Sequence, residues 1–211
     1  MMRITLFDYG AGNLHSLAKA LTGDGREVRV EPDPLLALDT DLLVLPGVGA
    51  FGAAAERIAP AREAMRDAIL AGLPALGICL GMQLMFDSSE EGPGAGLGLF
   101  AGRVDKLRAK RTPQIGWNAL EDTTDPAFAE SALTTAYYAN RYVCRPVDPS
   151  CVTAWSTHDG DRYAAAVRRG SCMGVQFHPE KSSRPGLRFL DLFLRGVASA
   201  SARSPLPQVD R

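Results

Sequence analysis

Two four-residue apolar runs limit the possible folds most, because each stops on a glycine-rich turn and is followed by a helix-like stretch. Leu42-Leu43-Val44-Leu45 ends at Pro46-Gly47-Val48-Gly49, and Ala75-Leu76-Gly77-Ile78 ends at Cys79-Leu80-Gly81. Runs this short, without polar alternation, read as strands buried on both faces of a mostly parallel sheet with helices on either side. The pattern begins earlier. Ile4 to Phe7 reads as a strand, Tyr9-Gly10-Ala11-Gly12-Asn13 as a turn, Leu14 to Leu21 as a helix and Glu27 to Val30 as a second strand. Ala53 to Leu70 is helix-rich, with Ile58, Met65 and Ile69 on its inner side and Pro60 placed to kink it; Met82 to Phe86 reads as the next helix.

Past residue 95 the texture changes. Leu97 to Leu107, Tyr137 to Cys144, Val152 to Trp155 and Ala164 to Val167 read as shorter strands, which predicts an antiparallel or mixed extension of the sheet. Met173 to Phe177 returns as a strand, and Gly186 to Val197 as a last amphipathic helix. The expectation is one α/β domain over 1–198, with a mixed, mostly parallel sheet flanked by helices. A mobile tail is expected over 199–211, where Ser, Pro and charges follow no period.

Composition excludes several functions. Hydrophobic residues make up 46% of the 211 and charged residues 22%, enough for a full core. Lys+Arg 23 against Asp+Glu 24 lacks the basic excess that phosphate contacts demand, so no nucleic-acid partner is expected. No stretch approaches the roughly 20 apolar residues of a membrane helix. Asp8 interrupts the first apolar run, which therefore resembles a core strand rather than a signal peptide. Cys79, Cys144, Cys151 and Cys172 form no CxxC pair and no zinc pattern, so neither metal nor disulfide framework is expected and a reducing cytoplasm is the simplest home.

The most informative segment is Gly77-Ile78-Cys79-Leu80-Gly81, a strand entering a Gly-x-Cys-x-Gly turn and then a helix. It is the thiol version of a nucleophile elbow, in which flanking glycines permit a tight turn that lifts the sulfur out of the sheet edge. At a helix N-terminus the exposed N–H groups favour thiolate, and the N–H of Leu80 can donate to an oxyanion. A buried structural cysteine is the competing reading, since free Cys is among the most buried residue types.

A thiolate needs a base, and the base needs an orienter. His15 sits early in a helix, where exposure or an interface role is expected, and His158 sits in the turn Thr157-His158-Asp159-Gly160. His178 instead closes the strand Val175-Gln176-Phe177 and is followed by Pro179-Glu180. Extended backbone sends His178 and Glu180 to the same side, so the carboxylate can accept the second imidazole N–H. A strand-end His with a chance acidic neighbour is the alternative.

Gly47, Val48 and Gly49 lie where backbone N–H groups can approach a developing oxyanion. A phosphate loop is the rival, but the Lys-Ser/Thr of a P-loop and the full GxGxxG spacing are missing. Gln83, one helical turn beyond Cys79, can face the same pocket. Glu90-Glu91 can bind an ammonium group or be merely a charged loop.

Gly77-Ile78-Cys79-Leu80-Gly81-Met82-Gln83, Pro46-Gly47-Val48-Gly49 and Phe177-His178-Pro179-Glu180-Lys181-Ser182, in that spacing, resemble the class I (triad-type) glutamine amidotransferases. Further segments are similar to the branch of that family serving histidine biosynthesis. They are Asp8-Tyr9-Gly10-Ala11-Gly12-Asn13-Leu14, Gln114-Ile115-Gly116-Trp117-Asn118 and Lys181-Ser182. The resemblance runs to about Leu194 and implies a flavodoxin-like sheet, glutamine as substrate and no cofactor. Ammonia is then passed to a partner (β/α)8-barrel cyclase subunit in a heterodimer. There it reacts with a phosphoribulosyl aminoimidazole intermediate to give imidazole glycerol phosphate and aminoimidazole carboxamide ribotide.

By the same resemblance Cys79 is the nucleophile, His178 the acid and base, and Glu180 its orienter. Leu80 and the Gly47-Val48-Gly49 loop serve the oxyanion, Gln83, Glu91 and Tyr142 the head of glutamine, and Asn13, Trp117 and Lys181 the cyclase. Two positions depart from the family pattern: Asn140-Arg141 before Tyr142, and Gln114 before Ile115. The first element binds substrate largely through its backbone, so the departure is compatible with activity. Rival readings are the glutaminase of anthranilate or aminodeoxychorismate synthesis, which usually shows Cys-Leu-Gly-His-Gln, a non-catalytic scaffold subunit, which would lack the triad, and a free-standing Cys hydrolase.

Overall fold

The computed structural model describes residues 1–10, 14–23 and 25–203. The chain opens with β1 (Met2–Phe7), α1 (His15–Leu21), β2 (Arg26–Glu31), β3 (Leu42–Leu45), α2 (Phe51–Ile58), α3 (Arg62–Leu70), β4 (Ala75–Ile78) and α4 (Leu80–Leu84). A two-residue β5 (Ser88–Ser89) precedes β6 (Gly102–Lys106), β7 (Gln114–Ala119), α5 (Pro126–Ser131), β8 (Thr135–Asn140) and β9 (Tyr142–Pro146). β10 (Val152–His158), β11 (Asp161–Arg169), β12 (Cys172–Val175) and α6 (Ser183–Arg203) complete it.

The main sheet has seven strands in the order β10-β11-β12-β4-β3-β1-β2. From β12 to β2 neighbours run parallel, while β10 and β11 form the expected antiparallel extension. The fully buried β3 shows why its run has no polar alternation. Leu42 and Val44 pack with Leu17 of α1 and Phe189 of α6, whereas Leu43 and Leu45 pack with Phe51 of α2 and Met65 of α3. Edge strand β2 keeps alternating charges, as a strand with one open side should.

Several boundaries differ from the sequence pattern. Pro60 does more than kink the helix: a 3-10 turn, Ala59–Ala61, separates α2 from α3. Leu97 to Leu107 is strand only over Gly102–Lys106, because the N–H groups of Leu97 and Leu99 bond the carbonyls of Leu84 and Met85 at the end of α4. Tyr137 to Cys144 is two strands, not one: β8 pairs with β7, and after Arg141 the chain changes sheet so that β9 pairs with β6. α6 runs through Arg203, so 199–203, expected as tail, is helical. Residues 204–211 of that tail, Asn13 and the turn residues Ala11 and Gly12 lie outside the described residues. Among the described residues no helix is long and apolar enough to cross a membrane.

Candidate active site

Three neighbouring parallel strands explain how residues far apart in sequence meet. Leu45 of β3 is paired with Gly77 of β4, and Ile78 of β4 with Val175 of β12. Their C-terminal ends are therefore level, and the chain leaving each enters one crevice: Pro46 to Gly49 from β3, Cys79 from β4, and Gln176 to His178 from β12. Crevices beyond the carboxyl ends of parallel strands are the usual ligand site of such sheets.

Cys79 makes the turn between β4 and α4 at φ 48° and ψ −104°, a left-handed backbone that a side chain rarely adopts. Strain of this kind costs about 1–3 kcal/mol and persists only where the surroundings fix it. Here the Cys79 N–H donates to the Val175 carbonyl at 2.7 Å, and the Cys79 carbonyl accepts from the Gln83 N–H at 3.1 Å. Both flanking glycines are demanded by contact. A Cβ on Gly81 would lie 1.9 Å from the Leu45 oxygen, and one on Gly77 would lie 2.7 Å from the backbone of Gly81. Leu80 opens α4, so its N–H belongs to the first turn, where donors lack intrahelical acceptors.

His178 is buried, and its Nδ1–H donates to Glu180 Oε1 at 2.9 Å. The Cys79 side chain also acts on the charge of the imidazole. Burial by itself works against the charged ring. The interaction with Cys79, the hydrogen bond to Glu180 and the attraction of both charges outweigh it and lift His178 to about 9. Its backbone is held at both ends: the N–H donates to the Tyr137 carbonyl at 2.8 Å, and the carbonyl accepts from Ser182 Oγ at 2.7 Å. The preceding Phe177 is sealed among Tyr138, Phe128 and Phe189, with ring centroids 5.9–6.3 Å apart. Glu180 Oε2 is buried and has no hydrogen-bond partner among the described residues. Gly47 passes so close that a Cβ there would lie 2.9 Å from His178 Cε1 and 3.0 Å from Cys79 Cβ. Gly49 holds φ at 109°, a conformation that favours glycine.

Gln83 turns inward, its Nε2 donating to the Tyr142 carbonyl at 3.1 Å and to Gln176 Oε1 at 3.3 Å. Gln176, whose Nε2 reaches Cys79 Sγ at 3.5 Å, is a site residue that sequence reasoning missed. Glu91 is placed differently from a free ammonium ligand: its Oε2 accepts the N–H of Phe51, the first residue of α2, at 2.9 Å. Of the residues that depart from the family pattern, Arg141 is exposed, while Gln114 and Asn140 are buried and each uses one polar atom, leaving Gln114 Nε2 and Asn140 Oδ1 without a partner among the described residues. Gln114 Oε1 accepts from the Tyr163 hydroxyl at 2.7 Å, and Asn140 Nδ2 donates to the Tyr142 carbonyl at 3.2 Å.

A cavity of about 220 Å³ opens beside the site, walled by Pro46, Gly47, Val48, His178, Glu180 and Lys181 among others. Trp117 lies outside it on β7, 55% exposed, with its ring edge-on to Tyr137 at 6.3 Å. His158 is remote from the triad, its Nε2 on the Arg111 carbonyl at 2.9 Å, and His15 is an exposed residue of α1. Among the described residues no cluster of His, Cys, Asp or Glu is arranged to hold a metal.

The fold and this crevice define a class, and the comparisons agree: residues 5–196 match the family Glutamine amidotransferase class-I, and the chain belongs to it. Within that class it belongs to the HisH family, the glutaminase subunits of imidazole glycerol phosphate synthase. The imidazole glycerol phosphate synthase subunit HisH of Symbiobacterium thermophilum is 45% identical, with 97% of this chain and 99% of that protein covered. Its counterpart from Pyrococcus furiosus is 41% identical over 92% of this chain and 100% of its own length. A crystal structure of a glutamine amidotransferase superposes with a TM-score of 0.71 at 18% identity, covering 92% of this chain and 98% of that one. The structure of PurLQS from Thermotoga maritima gives 0.67 at 19% identity, covering 93% and 100%.

Proposed function

We propose that this glutamine amidotransferase works through the triad Cys79, His178 and Glu180 and delivers its ammonia to a (β/α)8-barrel cyclase subunit in a heterodimer. Cys79 Sγ, its proton given to His178, attacks the side-chain amide carbon of glutamine. The tetrahedral oxyanion is received by the N–H of Leu80 and an N–H of the Gly47-Val48-Gly49 loop. Collapse breaks the C–N bond, and ammonia leaves with the proton held by His178. Water, deprotonated by His178, then hydrolyses the glutamyl thioester to glutamate. Glu180 keeps the imidazole in one tautomer and compensates its charge.

The observation that carries this reading is the convergence of a strained nucleophile elbow with a His178–Glu180 pair joined at 2.9 Å. Gln83, Glu91 and the Tyr142 backbone take the head of glutamine. The cavity beside His178 and Lys181 supports that side as the exit for ammonia, with Trp117 and Lys181 as cyclase contacts. Asn13 is assigned to the same contact on its sequence match alone. Four free cysteines, one of them a nucleophile, suit a reducing cytoplasm. The test is glutamine hydrolysis by the purified chain, alone and with the cyclase and its nucleotide ligand. Strong stimulation by the liganded partner is expected; hydrolysis indifferent to the partner would separate the glutaminase from this pathway.

A further inference from the structure

Gln176 is fully buried immediately after β12, between apolar neighbours, and its backbone N–H donates to the Ala165 carbonyl at 2.8 Å. Its side chain ends a row of amides. Gln83 Nε2 donates to the Tyr142 carbonyl at 3.1 Å and to Gln176 Oε1 at 3.3 Å, and Gln176 Nε2 faces Cys79 Sγ at 3.5 Å. The order of donors is fixed by chemistry. A backbone carbonyl only accepts, so Gln83 turns its NH2 toward Tyr142. The second proton of that NH2 requires an acceptor, which turns the oxygen of Gln176 toward Gln83 and its NH2 toward the sulfur.

We propose that Gln176 is a further catalytic group, donating a hydrogen bond to Cys79 Sγ that holds the sulfur in place and stabilises it whenever it carries charge. This deepens the triad assignment and rests on Cys79 as the nucleophile. In the first half-reaction the thiolate gives its electron pair to the amide carbon, the C–N bond breaks, and ammonia departs with the proton from His178. In the second, water adds to the thioester carbon while His178 takes its proton, and the C–S bond breaks with its electron pair returning to sulfur. A donor at the sulfur weakens the nucleophile by only a fraction of the stabilisation, with a slope of about 0.4–0.5, while making the thiolate a better leaving group. The gain therefore falls mainly on thioester hydrolysis.

The test compares Gln176→Glu and Gln176→Met in the full chain, with the cyclase partner bound and saturating glutamine. Gln176→Glu keeps an acceptor toward Gln83 and puts an acceptor oxygen against the sulfur. It is expected to lower kcat about ten- to hundredfold, the range for a hydrogen bond to a charged group, with kcat/KM nearly preserved and the glutamine KM falling in step, as slowed thioester hydrolysis requires. A glutamyl adduct on Cys79 is expected to accumulate in the intact mass spectrum. Gln176→Met removes both contacts, so kcat falls similarly and kcat/KM falls as well, because Gln83 loses its acceptor. Wild-type turnover in folded Gln176→Glu, or a kcat loss without the adduct and with unchanged iodoacetamide labelling of Cys79, would overturn the role of Gln176. If the wild-type enzyme is active without labelling or adduct formation at Cys79, the nucleophile assignment fails and the role of Gln176 falls with it.

Discussion

Glu91 and Phe51, 40 residues apart in sequence, are joined by a hydrogen bond of 2.9 Å that caps the first turn of α2. Ala50 cannot cap it with a side chain, and α2 begins directly after the glycine loop from β3. Glu91 thus fixes the far end of the segment whose N–H groups are assigned to the oxyanion. Glu91→Gln retains an acceptor for Phe51 but loses the charge. It is expected to raise the glutamine KM with kcat nearly preserved. Glu91→Ala loses the cap as well, with about 1 kcal/mol of stability and a further drop in kcat. Steady-state kinetics with thermal unfolding separates the two; equal kcat in both variants would show that the cap does not support the loop.

His178 sets the pH behaviour. Its folded value, about 9, lies above the ordinary 6.5, so the bound proton stabilises the fold fully below about pH 6.5 and that contribution is lost as pH rises through about 9. Glutaminase activity is expected to hold through neutrality and decline above pH 9, as the acid for the departing ammonia is lost. Glu180→Gln removes one of the groups that raise His178, so the descending limb should move to lower pH with a smaller kcat. A limb that stays where it was would remove Glu180 from the triad.

Gly47 is positioned for a severe test of the crevice. Gly47→Ala places a methyl carbon 2.9 Å from His178 Cε1 and from the Ile78 carbonyl oxygen. The backbone oxygen cannot give way cheaply, so the imidazole must shift from Cys79. Turnover is expected to fall at least about a hundredfold, as for comparable misplacement of catalytic groups. Circular dichroism should remain native, and iodoacetamide labelling of Cys79 should change.

Trp117 is the exposed anchor expected to matter only in the complex. At 55% exposure, with its ring edge-on to Tyr137, its truncation should change the unfolding midpoint little. Trp117→Ala should weaken binding to the cyclase by about tenfold or more, in the range of aromatic interface anchors, and reduce the stimulation of glutaminase in proportion. Calorimetric titration checks the first and coupled kinetics the second.

Much of the framework is legible because short buried strands announce themselves. Leu42–Leu45 and Ala75–Ile78 match the observed β3 and β4 residue for residue, and the glycines around Cys79 mark a turn that nothing larger could enter. The break at Arg141 was hidden, since β8 and β9 are both strand-like and only their partners in different sheets divide them. β7 is half polar and interrupted by Gly116, so it has no clear period. α5 has only six residues, although Asp125 before Pro126 carries a start signal: its carboxylate accepts the Ala127 N–H at 3.0 Å. Gln176 could not be found from sequence, because its approach to Cys79 depends on β12 lying beside β4. Glu91 was legible as a charged residue near the site but not as a cap, which requires knowing where α2 begins.

The most direct measurement is the covalent intermediate itself. Enzyme bound to its cyclase partner would be mixed with glutamine, quenched in acid and mapped by peptide mass spectrometry. A glutamyl thioester on Cys79, absent together with all ammonia release in Cys79→Ala, is the result expected. An adduct on another residue, or ammonia release that survives Cys79→Ala, would contradict the account.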